Sequence, residues 1–151
     1  MARLTDKWTP TLEEAFGESG KKGKLGEDYM MEVFKSWGWE CELHESDKKL
    51  QMDGIDITFK NPKWFNSYTC DVKNNMNKYG TFYVHEDWLF KGKSDRIFHV
   101  NPDTNWIVWY ERKAMQDYYN GPKGGYIQIT TKTQPRFVSK KFIDHLKGRK
   151  Q

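Results

Sequence analysis

Between Asp53 and Phe59 the apolar residues Ile55, Ile57 and Phe59 alternate with Gly54, Asp56 and Thr58. That period of two predicts a strand with one buried face and Asp56 on the other. A second run, Tyr68 to Lys73, sets Thr69, Asp71 and Lys73 on one side and Cys70 and Val72 on the opposite side. The intervening Asn61-Pro62-Lys63-Trp64-Phe65-Asn66 has the proline and asparagines of a turn. An antiparallel hairpin that opposes Asp56 with Asp71 also opposes Thr58 with Thr69, and directly opposed side chains have Cβ atoms about 4.5–5.5 Å apart. Two carboxylates so close repel each other unless a divalent cation lies between them. Mg²⁺ favours one or two carboxylates together with waters and phosphate oxygens. Lys73, two residues beyond Asp71 on the same face, is suited to hold an attacking water or to offset charge on a reacting phosphate. Together these residues point to phosphodiester hydrolysis.

A helix is predicted ahead of the hairpin. From Lys24 to Trp37, Leu25, Tyr29, Met30, Val33, Phe34 and Trp37 recur at helical spacing and form an apolar stripe. Glu27 falls at the edge of that stripe, beside Phe34 on the helical wheel, where it can lean toward the sheet. Its plainer reading is a first-turn acid that complements the helix dipole, worth about 0.3–1 kcal/mol.

Gly26-Glu27 on a first helix, Asp56 on a strand and Asp71-x-Lys73 on the next strand resemble the PD-(D/E)xK nuclease superfamily, which includes type II restriction enzymes, archaeal Holliday-junction resolvases and RecB-type exonucleases. The stretch Lys22-Gly23-Lys24-Leu25-Gly26-Glu27, with the amphipathic helix that closes at Gly38, is similar to that superfamily's opening helix. The resemblance covers roughly residues 21–110 and rests on few positions. It implies an α/β (α+β) fold with an αβββαβ core, a mixed central sheet flanked by helices. It also implies a site in which Asp56 is the bridging metal ligand, Asp71 the second carboxylate and Lys73 the catalytic lysine. Glu27 would be the helical acid, and the Val72 carbonyl a further ligand of Mg²⁺ or Mn²⁺. Two positions depart from the pattern: no proline precedes Asp56, and Asp71 stands where Glu is commoner. Both keep a metal-binding oxygen. Asp53 competes for the ligand role; Asp56 is preferred for its place on the non-apolar face, which leaves Asp53 as a turn residue before Gly54.

At 151 residues the chain suits one domain, here residues 21–151 behind an N-terminal arm, residues 1–20, joined by a Gly-Lys-rich link. No run of eighteen apolar residues and no hydrophobic run near Met1 occur, so a soluble, cytoplasmic protein without a membrane segment is expected. Two cysteines, Cys41 and Cys70, are too few for a disulfide scaffold, and Cys41 with His44 reads as a strand face. His44, His85, His99 and His145 are scattered and read as strand or surface residues. His85 alone is placed by the chain order where it can approach the site.

The net charge is +4, and its distribution says more than its size. Lysines and arginines gather at 21–24, at 91–96 and at 140–150, as a protein contacting a phosphate backbone would arrange them. DNA is the expected partner, with RNA as the alternative. A junction-resolving member would need two sites facing a two-fold substrate, which makes a homodimer a candidate assembly. Aromatic residues make up 16% of the chain. Trp88, Trp106, Trp109 and Tyr110 are expected in the core, and Trp64, Phe65, Tyr79 and Tyr83 are candidates for stacking on bases. The polar Asn74–Gly80 segment lies where it can touch a nucleic-acid backbone. Further elements are expected at 39–44 (strand), 85–90 (short helix), 96–100 and 106–110 (strands joined by an Asn-Pro-Asp-Thr-Asn turn), 126–131 (strand) and 137–146 (closing helix). A competing reading from another class is a non-catalytic nucleic-acid-binding protein of the same fold in a recombination or packaging assembly. A third is an adaptor that meets another protein through its aromatic surface.

Overall fold

The computed structural model describes residues 12–131 together with Ile143, Asp144 and Leu146. Helix α1 (Leu12–Ser36) is followed by β1 (Glu40–Leu43), α2 (Lys48–Met52), β2 (Ile57–Lys60), β3 (Tyr68–Lys73) and β4 (Thr81–His85). The chain continues through α3 (Glu86–Phe90), β5 (Arg96–Asn101), β6 (Trp106–Glu111), α4 (Arg112–Tyr118) and β7 (Tyr126–Thr130). Five strands form one mixed sheet in the order β1-β2-β3-β5-β6, and β4 pairs with β7 in a separate two-stranded ribbon. Within the large sheet only the β3–β5 pair is parallel. A mixed central sheet flanked by helices is therefore the architecture, and α1-β1-β2-β3-α3-β5 follows the expected αβββαβ order with α2 and β4 added.

Alternation along the strands sends side chains into two separate cores. On one face Ile57, Phe59, Cys70, Val72, Phe98, Val100, Ile107 and Trp109 pack against Met30, Val33 and Phe34 of α1. On the other face Ile97, Val108 and Tyr110 meet Phe82, Val84 and Ile129 of the ribbon, Leu89 of α3 and Met115 of α4. The molecule is thus layered as α1, central sheet, then ribbon with the short helices.

The hairpin forms in the expected register. Thr58 pairs with Thr69 and Ile57 with Cys70; the next step along the ladder would oppose Asp56 with Asp71, and there the Asp56 carboxylate accepts from Val72 N–H. Several expectations are corrected. Helix α1 begins at Leu12 rather than Lys24, so the Gly-Lys stretch is helical and Glu27 lies mid-helix, away from the first-turn dipole. Leu25 is 63% exposed and drops out of the apolar stripe. Gly26 is required where α1 crosses β3, since a Cβ there would lie 2.9 Å from Asn74 Cβ. The strands β1, β5, β6 and β7 and helix α3 stand within one or two residues of their expected bounds. The local pattern does not announce β4, α2 or α4. Of the expected closing helix, Ile143, Asp144 and Leu146 are helical, with Ile143 and Leu146 packed in the ribbon-side core; the remainder lies outside the described residues, as do the basic positions 140, 141, 147, 149 and 150.

Candidate active site

Asp56 sits in the approach to β2, tied on three sides. Its N–H donates to the Cys70 carbonyl (2.9 Å), its carbonyl accepts from His44 N–H (2.8 Å), and its Oδ2 accepts from Val72 N–H at 2.8 Å. Those bonds hold its carboxylate against β3, within hydrogen-bonding reach of Asp71. Asp71 is 4% exposed and has Lys73 Nζ 3.3 Å from Oδ1. Burial pushes the Asp71 carboxyl up to about 7; Lys73 opposes the rise, and the Asp56 charge adds to it. A carboxyl pair of this kind holds either a shared proton or a cation at neutral pH.

Gly54 lies close against the pair. Its φ is +72° and a Cβ on it would stand 3.3 Å from Asp71 Oδ2, so both the turn and the close approach to the carboxylate favour glycine. The side chains of Asp56 and Asp71 offer hard carboxylate oxygens, the chemistry that suits Mg²⁺ or Mn²⁺. Among the described residues no group of three or more His, Cys, Asp and Glu side chains is gathered closely enough to hold a metal. The structure accordingly brings together Asp56, Asp71 and Lys73 and leaves Glu27 apart.

Glu27 approaches from the α1 layer, next to the point where Gly26 meets β3. Half-buried, its carboxyl is raised to about 7 by burial first and by the charge of Asp56 second, with Lys24 opposing. Glu27 therefore senses the aspartate pair through its field.

Lys73 has support that the sequence did not disclose. Its Nζ lies 4.3 Å from the centre of the Trp88 ring, a cation–π contact from α3. Its neighbour in the parallel register is His99, which is fully buried. Neutral His99 donates from Nδ1 to Asn75 Oδ1 (2.7 Å) and accepts at Nε2 from the Tyr110 hydroxyl (2.7 Å). Asn75 in turn donates to the Tyr83 carbonyl (3.0 Å). Burial, then the Lys73 charge, presses the His99 pKa well below its ordinary value. This chain of hydrogen bonds spans the central sheet, the segment after β3 and the ribbon, and only the fold unites its members.

The other candidates separate clearly. Asp53 caps the C-terminus of α2, with its carboxylate 3.7 Å from Lys93 Nζ. Cys41 Sγ faces the Met31 carbonyl and His44 bonds Thr58 Oγ1 at 2.6 Å, so both are strand-face residues. His85 caps α3 by accepting from Asp87 N–H (3.1 Å), with its ring 5.9 Å from Trp88. Arg96 does not join the surface lysines: its guanidinium lies 4.3 to 5.6 Å from the rings of Trp109, Tyr68, Trp64 and Phe59. Trp106, Trp109 and Tyr110 are buried, and Trp88 is partly so. Of the proposed stacking residues, Phe65 is fully exposed, Tyr79 and Tyr83 are exposed, and Trp64 instead packs on Trp39 and Tyr68.

The fold is a layered α/β architecture with a mixed central sheet, and the Asp56–Asp71 pair lies where β2 and β3 meet. Among solved structures, the chain is similar to a bacterial homing endonuclease, I-Ssp6803I, with a TM-score of 0.53 and 15% identity over 76% of this chain and 80% of that one. At this identity the likeness is one of fold. No protein-family model matches the chain, and no curated protein does. Among the described residues, no helix is long and apolar enough to cross a membrane.

Proposed function

We propose that the protein is a divalent-metal-dependent nuclease of the PD-(D/E)xK type that hydrolyses DNA phosphodiester bonds. The observation that carries this reading is the close approach of two carboxylates, Asp56 and Asp71, with Lys73 Nζ 3.3 Å from Asp71 Oδ1. The shared fold with a homing endonuclease supports it.

In this mechanism Asp56 and Asp71, with the Val72 carbonyl, would hold Mg²⁺ or Mn²⁺. When bound, the ion supplies a Lewis acid that offsets charge building on the phosphate. Asp71 must give up its proton to serve, so a carboxyl at about 7 makes loading rise with pH. Lys73, kept in place by the Asp71 carboxylate and the Trp88 ring, donates from Nζ to the attacking water or to a non-bridging phosphate oxygen and aligns the two. Glu27 adds negative field at the rim and orders water there. The exposed lysines at 21, 22 and 24 lie on α1 beside the end of β3, where Lys22 O accepts from Asn74 Nδ2, and they are suited to meet backbone phosphates.

End-labelled linear duplex, single-stranded and four-way-junction DNA, incubated with Mg²⁺, Mn²⁺ or EDTA, tests the reading against Lys73→Ala. Metal-dependent cutting that falls at least about 100-fold in the variant is expected. Retained DNA binding without cutting would move the protein to the non-catalytic class, and undiminished cutting by both Asp56→Ala and Lys73→Ala would sink the site assignment.

A further inference from the structure

The β4–β7 ribbon packs Phe82, Val84 and Ile129 inward, and its other face is turned to solvent. Register pairs Thr81 with Thr130, Tyr83 with Gln128 and His85 with Tyr126, so these six side chains make up that outward face. None is acidic, and each ends in a group that donates or accepts a hydrogen bond. Tyr83 is 43% and Tyr126 56% exposed, and their rings lie 5.2 Å apart. Thr81 and Thr130 bond each other through their hydroxyls at 3.0 Å, which leaves each oxygen further capacity.

This face is continuous with the candidate active site. The Tyr83 ring stacks on Trp88 at 5.8 Å, and Trp88 is the ring beneath Lys73 Nζ. A single ring therefore separates the outward face from the lysine. Lys78 stands in the turn entering β4 and Lys123 in the loop entering β7, so a lysine flanks the ribbon at each end. The two carboxylates where β4 runs into α3 are engaged: Glu86 accepts from Gly124 N–H, and Asp87 faces Lys91 and His85.

We propose that the outward face of the β4–β7 ribbon enters the major groove of duplex DNA and reads base edges next to the phosphate held at Lys73. A major groove about 12 Å wide admits a two-stranded β-ribbon without deforming the duplex, and its base edges distinguish all four base pairs. Gln128 has the amide geometry for a bidentate contact to adenine, the threonine hydroxyls suit several base edges, and the tyrosine rings suit a thymine methyl. With each base pair advancing about 3.4 Å along the helix axis, the bases read lie within a few pairs of the cut. The inference rests on the DNA-hydrolysis reading and narrows its substrate to duplex DNA of preferred sequence.

Selection by binding from a randomised duplex library tests it, using the full chain in Ca²⁺, whose looser coordination differs from that of Mg²⁺. Enrichment of a base preference at two or three neighbouring positions is expected. Gln128→Ala and Tyr83→Ala, both at exposed sites, should each flatten part of that preference and weaken the selected duplex roughly 5- to 150-fold, with unrelated duplexes bound as before. No preference, or one that both variants keep, overturns the proposal. Single strands bound as tightly as duplex, with loss in Tyr83→Ala, would assign the rings to base stacking and overturn it as well. Mg²⁺-dependent cutting of the selected duplexes is scored separately: selection without cutting removes the nuclease reading and leaves the ribbon, and cutting without selection does the reverse.

Discussion

Gly80 shows how far one residue's environment exceeds its local sequence. It closes the polar turn before β4 with φ +78°, and a Cβ there would fall 1.8 Å from Trp106 Cζ3 and 2.4 Å from Thr131 Oγ1. Gly80→Ala combines a strained backbone with an overpacked neighbour, so a loss of about 2–4 kcal/mol is expected, read as a lower denaturant midpoint with an unchanged slope. A glycine in a turn was legible from the chain; the indole pressed against it was not, because Trp106 arrives from a strand 26 positions later. Asp56, Asp71 and Lys73 were legible for the opposite reason. They lie on neighbouring strands joined by a short turn, and a period of two fixes which side chains share a face. Glu27 was only half legible: wheel position gave its border location, and the helix's true start at Leu12 removed the dipole reading.

At the scale of elements, α1 is held to the sheet by aromatic packing. Phe34 is fully buried, stacks on Phe59 at 4.7 Å and on Trp39 at 5.8 Å, and meets Phe98 edge-on at 5.6 Å. Phe34→Ala leaves a cavity between helix and sheet, and a loss of about 3–5 kcal/mol in chemical denaturation is expected. The helical stripe announced this contact, apart from Leu25. Within the ribbon β7 was legible and β4 was not. β4 finds its partner β7 some 45 positions further on, and a two-stranded ribbon has little stability until its inner face is covered by the central sheet. Its strand state is set by that burial, which no window around Thr81–His85 can reveal.

For the molecule as a whole, the aspartate pair couples stability to pH and to metal. Burial raises the Asp71 carboxyl to about 7 from an ordinary value near 4, so the folded protein holds a proton that the unfolded chain gives up. The stability this confers is complete below about pH 4 and is lost as pH rises through about 7; Glu27, raised in the same direction, adds to the decline. Thermal unfolding should therefore occur at a lower temperature at pH 8.5 than at pH 5.5. Millimolar Mg²⁺ should restore the loss at pH 8.5 and do little at pH 5.5, because binding to the folded state alone stabilises it. Asp71→Asn should flatten both responses. A pH-independent unfolding temperature with no Mg²⁺ effect would remove the paired-carboxylate site. The sequence by itself determined the hairpin, its register and the placement of Asp56, Asp71 and Lys73 on one face, because these depend on periodicity and a short turn. Tertiary structure alone decided what surrounds them: the approach of Glu27, the Trp88 ring beneath Lys73, the buried His99 network and the outward face of the ribbon. Each of these depends on contacts between segments far apart in the chain, and their geometry is set only when two hydrophobic cores close on opposite faces of one sheet.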